Sequence, residues 1–178
     1  MVYLFLANGF EEIEALCPLD LLRRVGVEVT VVGVGSDKIM GAHGITVSAD
    51  VPEEFYRDSN PEMIILPGGM PGTKNLDASK TVHSAIRAAS AHGARIAAIC
   101  AAPMILGKLG LLRGKEATCF PGFEEYLDGA TISEMKVVTD GNITTAKGMG
   151  CALDFGLELV ALLRGKDVSE KLRRDVQA

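Results

Sequence analysis

Short, nearly unbroken apolar runs recur along this chain with room for one helix between them, and that alternation leaves few folds open. Val2–Ala7 reads as a buried strand and Glu11–Val25 as a helix stopped by Gly26, with Pro18 inside it. Val27–Val34 is the next strand, and the less regular stretch 35–60 holds one short strand at Ile45–Ala49. Met63–Leu66 ends in Pro67-Gly68-Gly69, Lys80–Ala91 is an amphipathic helix closed by Gly93, and Ala94–Cys100 leads into a helix over Ala101–Leu109. A short strand at Ala117–Phe120 precedes a hairpin over Lys136–Ala146, turning at Asp140-Gly141 or Gly141-Asn142. Helices at Cys151–Leu163 and Val168–Val176 close the chain. Strands buried along their whole length and separated by helices predict a doubly wound α/β fold. Its sheet is mainly parallel, helices cover both faces, and one domain spans residues 1–178.

Composition narrows the function. With 178 residues, 48% hydrophobic and 23% charged, the chain can build a proper core. A net charge of −5 supplies no basic field for nucleic acid or anionic lipid, so neither is an expected partner. The first apolar run lacks a cationic lead and is followed by Glu11, Glu12 and Glu14, unlike a signal peptide. The apolar region 94–112 is interrupted by Arg95, Pro103 and Lys108, which fits strand plus helix and not a membrane span. Cys17, Cys100, Cys119 and Cys151 are widely separated and form no CxxC pair. That argues against a zinc site or a disulfide framework and for a reducing, cytoplasmic setting.

Cys100 is the residue that promises chemistry. It closes a strand and opens a helix, a junction where unpaired N–H groups and the helix dipole favour an anion. A thiol held there is expected to ionise easily, where a free thiol of pKa ~8.5 is only about 3% thiolate at neutral pH. The ordinary reading of a cysteine ending a core strand is burial and packing; the neighbouring residues argue for more. Parallel sheets bind ligands at the carboxyl ends of their strands, and Cys100, Gly68-Gly69 and the segment after Ala7 all lie at such ends. Glu11 and Glu12 read as complements to a helix dipole. Glu14 differs: Ile13, Leu16 and Cys17 beside it imply a segment turning inward. Two bare anions would raise each other's pKa, so the workable pair is a protonated Glu14 donating to a Cys100 thiolate. The Gly69 and Ala101 N–H groups then suit an oxyanion hole beside the sulfur.

Gly9-Phe10-Glu11-Glu12-Ile13-Glu14, Pro18-Leu19-Asp20, Arg23-Arg24-Val25-Gly26, Leu66-Pro67-Gly68-Gly69, Ala97-Ala98-Ile99-Cys100-Ala101-Ala102-Pro103 and Lys147-Gly148-Met149-Gly150 together resemble the ThiJ/PfpI superfamily. The branch is that of the Parkinson-disease-associated protein deglycase and its bacterial relatives, and the likeness covers nearly the whole chain. The resemblance implies a flavodoxin-like homodimer, with Cys100 the reactive cysteine, Glu14 its carboxyl partner, and Gly69 and Ala101 the oxyanion amides. It also implies cofactor-independent chemistry on 2-oxoaldehydes or their adducts, alongside oxidation sensing and holdase activity. One departure stands out: where the branch often carries a histidine before a proline, this chain has Phe120 before Pro121. His83 and His92 read as solvated surface residues; His43 lies in the irregular region, with an approach to the cleft, from a second subunit, as the minor alternative. The late His-x-Glu of class I glutamine amidotransferases and the histidine that follows the nucleophile in the protease-like branch are both missing. Cys17 and Cys151 read as core, and Cys119 as core before a resolving thiol.

Two functions follow. As an enzyme, Cys100 adds to methylglyoxal or glyoxal and Glu14 moves the proton between the two carbons, with no metal or glutathione required. As a redox-responsive stress protein, Cys100 oxidises to a sulfinate that Glu14 hydrogen-bonds.

Overall fold

In a computed structural model, described over residues 1–57 and 60–178, strand β1 (Val2–Ala7) leads to helix α1 (Glu12–Arg24) and strand β2 (Val29–Val34). Short strands β3 (Lys38–Met40), β4 (Thr46–Ser48) and β5 (Val51–Pro52) follow. Next come β6 (Met63–Leu66), helices α2 (Gly72–Ala78) and α3 (Lys80–Ala91), strand β7 (Arg95–Ile99) and helix α4 (Pro103–Lys108). Strands β8 (Glu116–Ala117), β9 (Thr131–Ile132), β10 (Val137–Asp140) and β11 (Ile143–Ala146) precede helices α5 (Ala152–Arg164) and α6 (Lys166–Asp175). Seven strands form one sheet in the order β10-β11-β7-β6-β1-β2-β5. Every pairing in it is parallel except the β10–β11 hairpin, whose two-residue turn is Gly141-Asn142.

Period-2 alternation divides β1 between two cores. Val2, Leu4 and Leu6 join Ala15 and Leu22 of α1 and Phe155 of α5, while Tyr3, Phe5 and Ala7 join Val82 and Ile86 of α3 and Leu106 of α4. All six β1 residues are buried, as a strand with helices on both faces requires. The chain thus has the predicted flavodoxin-like α/β architecture.

Three local expectations are corrected. Helix α2 and strands β3, β5 and β9 were not expected; α2 opens on Pro71-Gly72, a pair that reads as a turn. Residues 118–120 do not continue the short strand that ends at Ala117. No helix starts at Ala101: a turn intervenes, and α4 begins at Pro103, which has no N–H to offer.

The arrangement places four strand ends together. β1, β6, β7 and β11 are parallel neighbours, so Gly9, Gly68, Cys100 and Gly148 all emerge on one edge of the sheet. No helix among the described residues is long and apolar enough to cross a membrane.

Candidate active site

Cys100 sits on its turn with φ +65°, a left-handed conformation that non-glycine residues seldom adopt. Its backbone is fixed from two sides: its N–H donates to Ala146 O at 2.9 Å, and its carbonyl accepts from Phe120 N at 2.8 Å. The side chain is thereby aimed at the Pro67-Gly68-Gly69 turn. A Cβ on Gly68 would lie 2.5 Å from Cys100 Cβ and 2.6 Å from Glu14 Oε2, so only glycine lets the three segments meet. Gly69 has φ +89°, which turns its own N–H toward the sulfur. The Ala101 N–H reaches the same sulfur.

Glu14 is 1% exposed. Its Oε2 accepts from Gly68 N at 3.0 Å, the Met149 N–H also donates to the carboxyl group, and the side chain is hydrogen-bonded to Cys100. Burial pushes the Glu14 carboxyl up to about 7, against the pull of those hydrogen bonds. Burial, followed by the charge of Glu14, pushes the Cys100 thiol up to about 12. The easily ionised thiol, and with it the Cys100 thiolate facing a protonated Glu14, is therefore corrected: burial and then the Glu14 carboxyl group keep the proton on the sulfur. The pair loses one proton near 7 and holds the other. Glu14 is the group that gives up its proton, and Cys100 keeps its own.

Glu11 and Glu12 stand at the start of α1, where a helix dipole favours them, but Glu12 has a second role. Glu12 is 4% exposed and clamps the 41–45 loop, accepting from His43 N at 2.7 Å and meeting His43 Nδ1 at 2.9 Å. Burial raises its pKa, and the His43 and Ile45 hydrogen bonds more than offset this, so the net direction is down. His43 is raised in turn, by its bond to Glu12 and then by the charge of Glu11. Ligand atoms of Glu11, Glu12 and His43 lie within 4.8 Å of one another, near enough to share a cation.

The inward turn inferred at Glu14 holds, but Ile13 does not follow it and is 49% exposed. Phe120 is also half exposed, its ring against Gly148. Cys119 and Cys151 are buried and Cys17 is half-buried against the core. His83 is tied to Asp77 at 3.1 Å, so it is less solvated than expected, whereas His92 is exposed. The Met149 amide was missed, since nothing in a Gly-Met-Gly string marks a donor to a residue 135 positions away.

The family model described as DJ-1/PfpI family matches residues 1–162, which includes every group of this cleft. The chain belongs to the DJ-1/PfpI family. Among DJ-1 relatives, Arabidopsis thaliana DJ-1 homolog B is 41% identical over 90% of this chain, which spans 37% of that protein's length. A Pyrococcus abyssi protein named as a deglycase is 32% identical over 92% of this chain and 99% of its own. The structure of Toxoplasma gondii DJ-1 in oxidized form superposes with a TM-score of 0.95 at 32% identity, covering 99% of this chain and 97% of that one.

Proposed function

We propose that the protein is a cysteine-dependent, cofactor-independent glyoxalase or deglycase acting on 2-oxoaldehydes or their protein adducts. The observation that carries this reading is a sulfur hydrogen-bonded to a buried carboxyl group and flanked by two backbone N–H groups. The Cys100 sulfur bonds to the aldehyde carbon as its proton passes through Glu14, and the Gly69 and Ala101 N–H groups hold the resulting oxygen. Glu14 then takes the hydrogen from that carbon and returns a proton to the neighbouring carbonyl carbon through an enediol. The aldehyde carbon is oxidised to a thioester as its neighbour is reduced to an alcohol, so no outside oxidant is needed. Water cleaves the C–S bond, releasing a 2-hydroxy acid and the thiol. With Phe120 in the position of the family histidine, Glu14 serves as both base and acid. The deglycase name of the Pyrococcus abyssi relative supports the reading.

The test is lactate formed from methylglyoxal without glutathione, by wild type and Cys100→Ser. Product beyond one equivalent per chain, abolished by the substitution, supports the enzyme; aldehyde loss that stops at stoichiometry, without lactate, overturns it. A second reading, oxidation sensing through a Cys100 sulfinate, draws support from the oxidized state of Toxoplasma gondii DJ-1. Glu14→Gln separates the two, because glutamine still donates a hydrogen bond to a sulfinate but cannot shuttle a proton. We further propose a cytoplasmic homodimer, which the exposed apolar Ile13 and Leu153 on the packed helices α1 and α5 would serve. Sedimentation at twice the chain mass is the expected result.

A further inference from the structure

Beside the Cys100–Glu14 pair lies a groove of about 470 Å³, lined by Phe120, Pro121, Lys136, Lys147 and the Gly148–Cys151 turn. It shares a wall with the candidate active site. A Cβ on Gly148 would lie 3.1 Å from the Phe120 ring and 3.8 Å from Glu14 Oε1, and the next residue, Met149, gives its N–H to the Glu14 carboxyl group. The opposite wall is tied to the cysteine, because Phe120 N donates to Cys100 O at 2.8 Å. The groove has room for roughly 15 waters at ~30 Å³ each, far more than a three-carbon aldehyde occupies, and falls within the range of small-molecule sites. Its walls are mainly apolar, with the Phe120 ring and Met149 about half exposed. Lys147 is engaged with Glu134 at 2.8 Å, whereas Lys136 has no ion-pair partner among the described residues. An apolar trough with a cationic rim fits an apolar substituent whose reaction ends in a carboxylate.

We propose that this groove receives the substituent on the ketone carbon of the substrate, so that the preferred substrates are 2-oxoaldehydes bearing an aromatic or branched apolar group. The proposal rests on the glyoxalase reading above and adds the substrate class to it. Phe120 then acts as a specificity residue: its ring stacks on the substituent in the position where the family often has histidine. The reaction balances as before. Phenylglyoxal plus water becomes mandelate, its aldehyde carbon oxidised and its ketone carbon reduced.

The experiment compares initial rates of mandelate formation from phenylglyoxal with those of lactate from methylglyoxal, without glutathione. The wild type is expected to favour phenylglyoxal at least tenfold in kcat/KM. Gly150 lines the groove at an ordinary φ, and a Cβ there meets nothing within 4 Å, so Gly150→Leu fills the trough without strain. It should lower the phenylglyoxal-to-methylglyoxal ratio about tenfold, and Phe120→Ala should lower it in the same direction. A wild-type ratio at or below one, or a ratio that neither substitution moves, overturns the assignment. A change of sedimenting mass in Gly150→Leu overturns it too, since the groove would then be covered by a second copy of the chain. Failure to turn over either aldehyde, with Cys100→Ser indistinguishable from wild type, instead removes the glyoxalase reading and the groove assignment with it.

Discussion

Glu12 and Glu14 stand two residues apart in the first turn of α1, both buried, and the structure drives them in opposite directions. Glu12 faces the 41–45 loop and is held as an anion by His43 and Ile45. Glu14 faces the Cys100 turn, where burial outweighs the donors and its proton is retained to about 7. Both are closed off from solvent, but Glu14 lies deeper, and there burial outweighs the donors. The His43 and Ile45 donors make one carboxylate a clamp, and deeper burial leaves the other titrating near neutral pH beside a thiol.

The strongest way to break this contrast is Glu14→Gln, which should lower kcat/KM for 2-oxoaldehydes by ~10²–10⁴-fold. In the wild type kcat/KM should rise as pH passes through about 7, where the pair becomes a monoanion. The same substitution should reshape stability. A carboxyl group raised from 4.5 to about 7 favours the folded state fully below 4.5, and that contribution is lost as pH rises through 7. Calorimetric scans should therefore show the wild type losing on the order of 3 kcal/mol, relative to Glu14→Gln, between pH 4 and 8.

Gly68→Ala sharpens the comparison from the other side. Its methyl group would force apart Cys100 and Glu14 while leaving Glu12 untouched. A loss of about 1–3 kcal/mol in urea unfolding is expected, with a Cys100 titration displaced from that of the wild type. The smallest effect belongs to Glu12→Gln, which keeps an acceptor for the His43 N–H but removes the charge. It should cost about 1 kcal/mol, and the His43 imidazole, followed by NMR, should titrate back toward 6.5.

Much of this was legible in the sequence. β1, β6 and α3 have the predicted ends, because continuous apolar runs, helical periodicity and the closing Gly93 are local signals. Cys100, Glu14, Gly69 and Ala101 were nameable because a doubly wound sheet brings its strand ends together whatever its loops do. The buried role of Glu12 was not legible, since its partner arrives from a loop 31 residues away. Helix α2 was hidden for a related reason: at seven residues it is too short for periodicity to outweigh Pro71 and Gly72. The proton placement at Cys100 also escaped, because it depends on how deeply the thiol is buried against Glu14, which no local string shows.

The left-handed backbone at Cys100 has an evolutionary reading. A β-carbon there costs the fold on the order of 1 kcal/mol or more, which glycine would not. Selection for stability alone would push this codon toward glycine or asparagine. A descendant freed from its chemistry should drift that way, making position 100 an inexpensive marker for separating active lineages from retired ones.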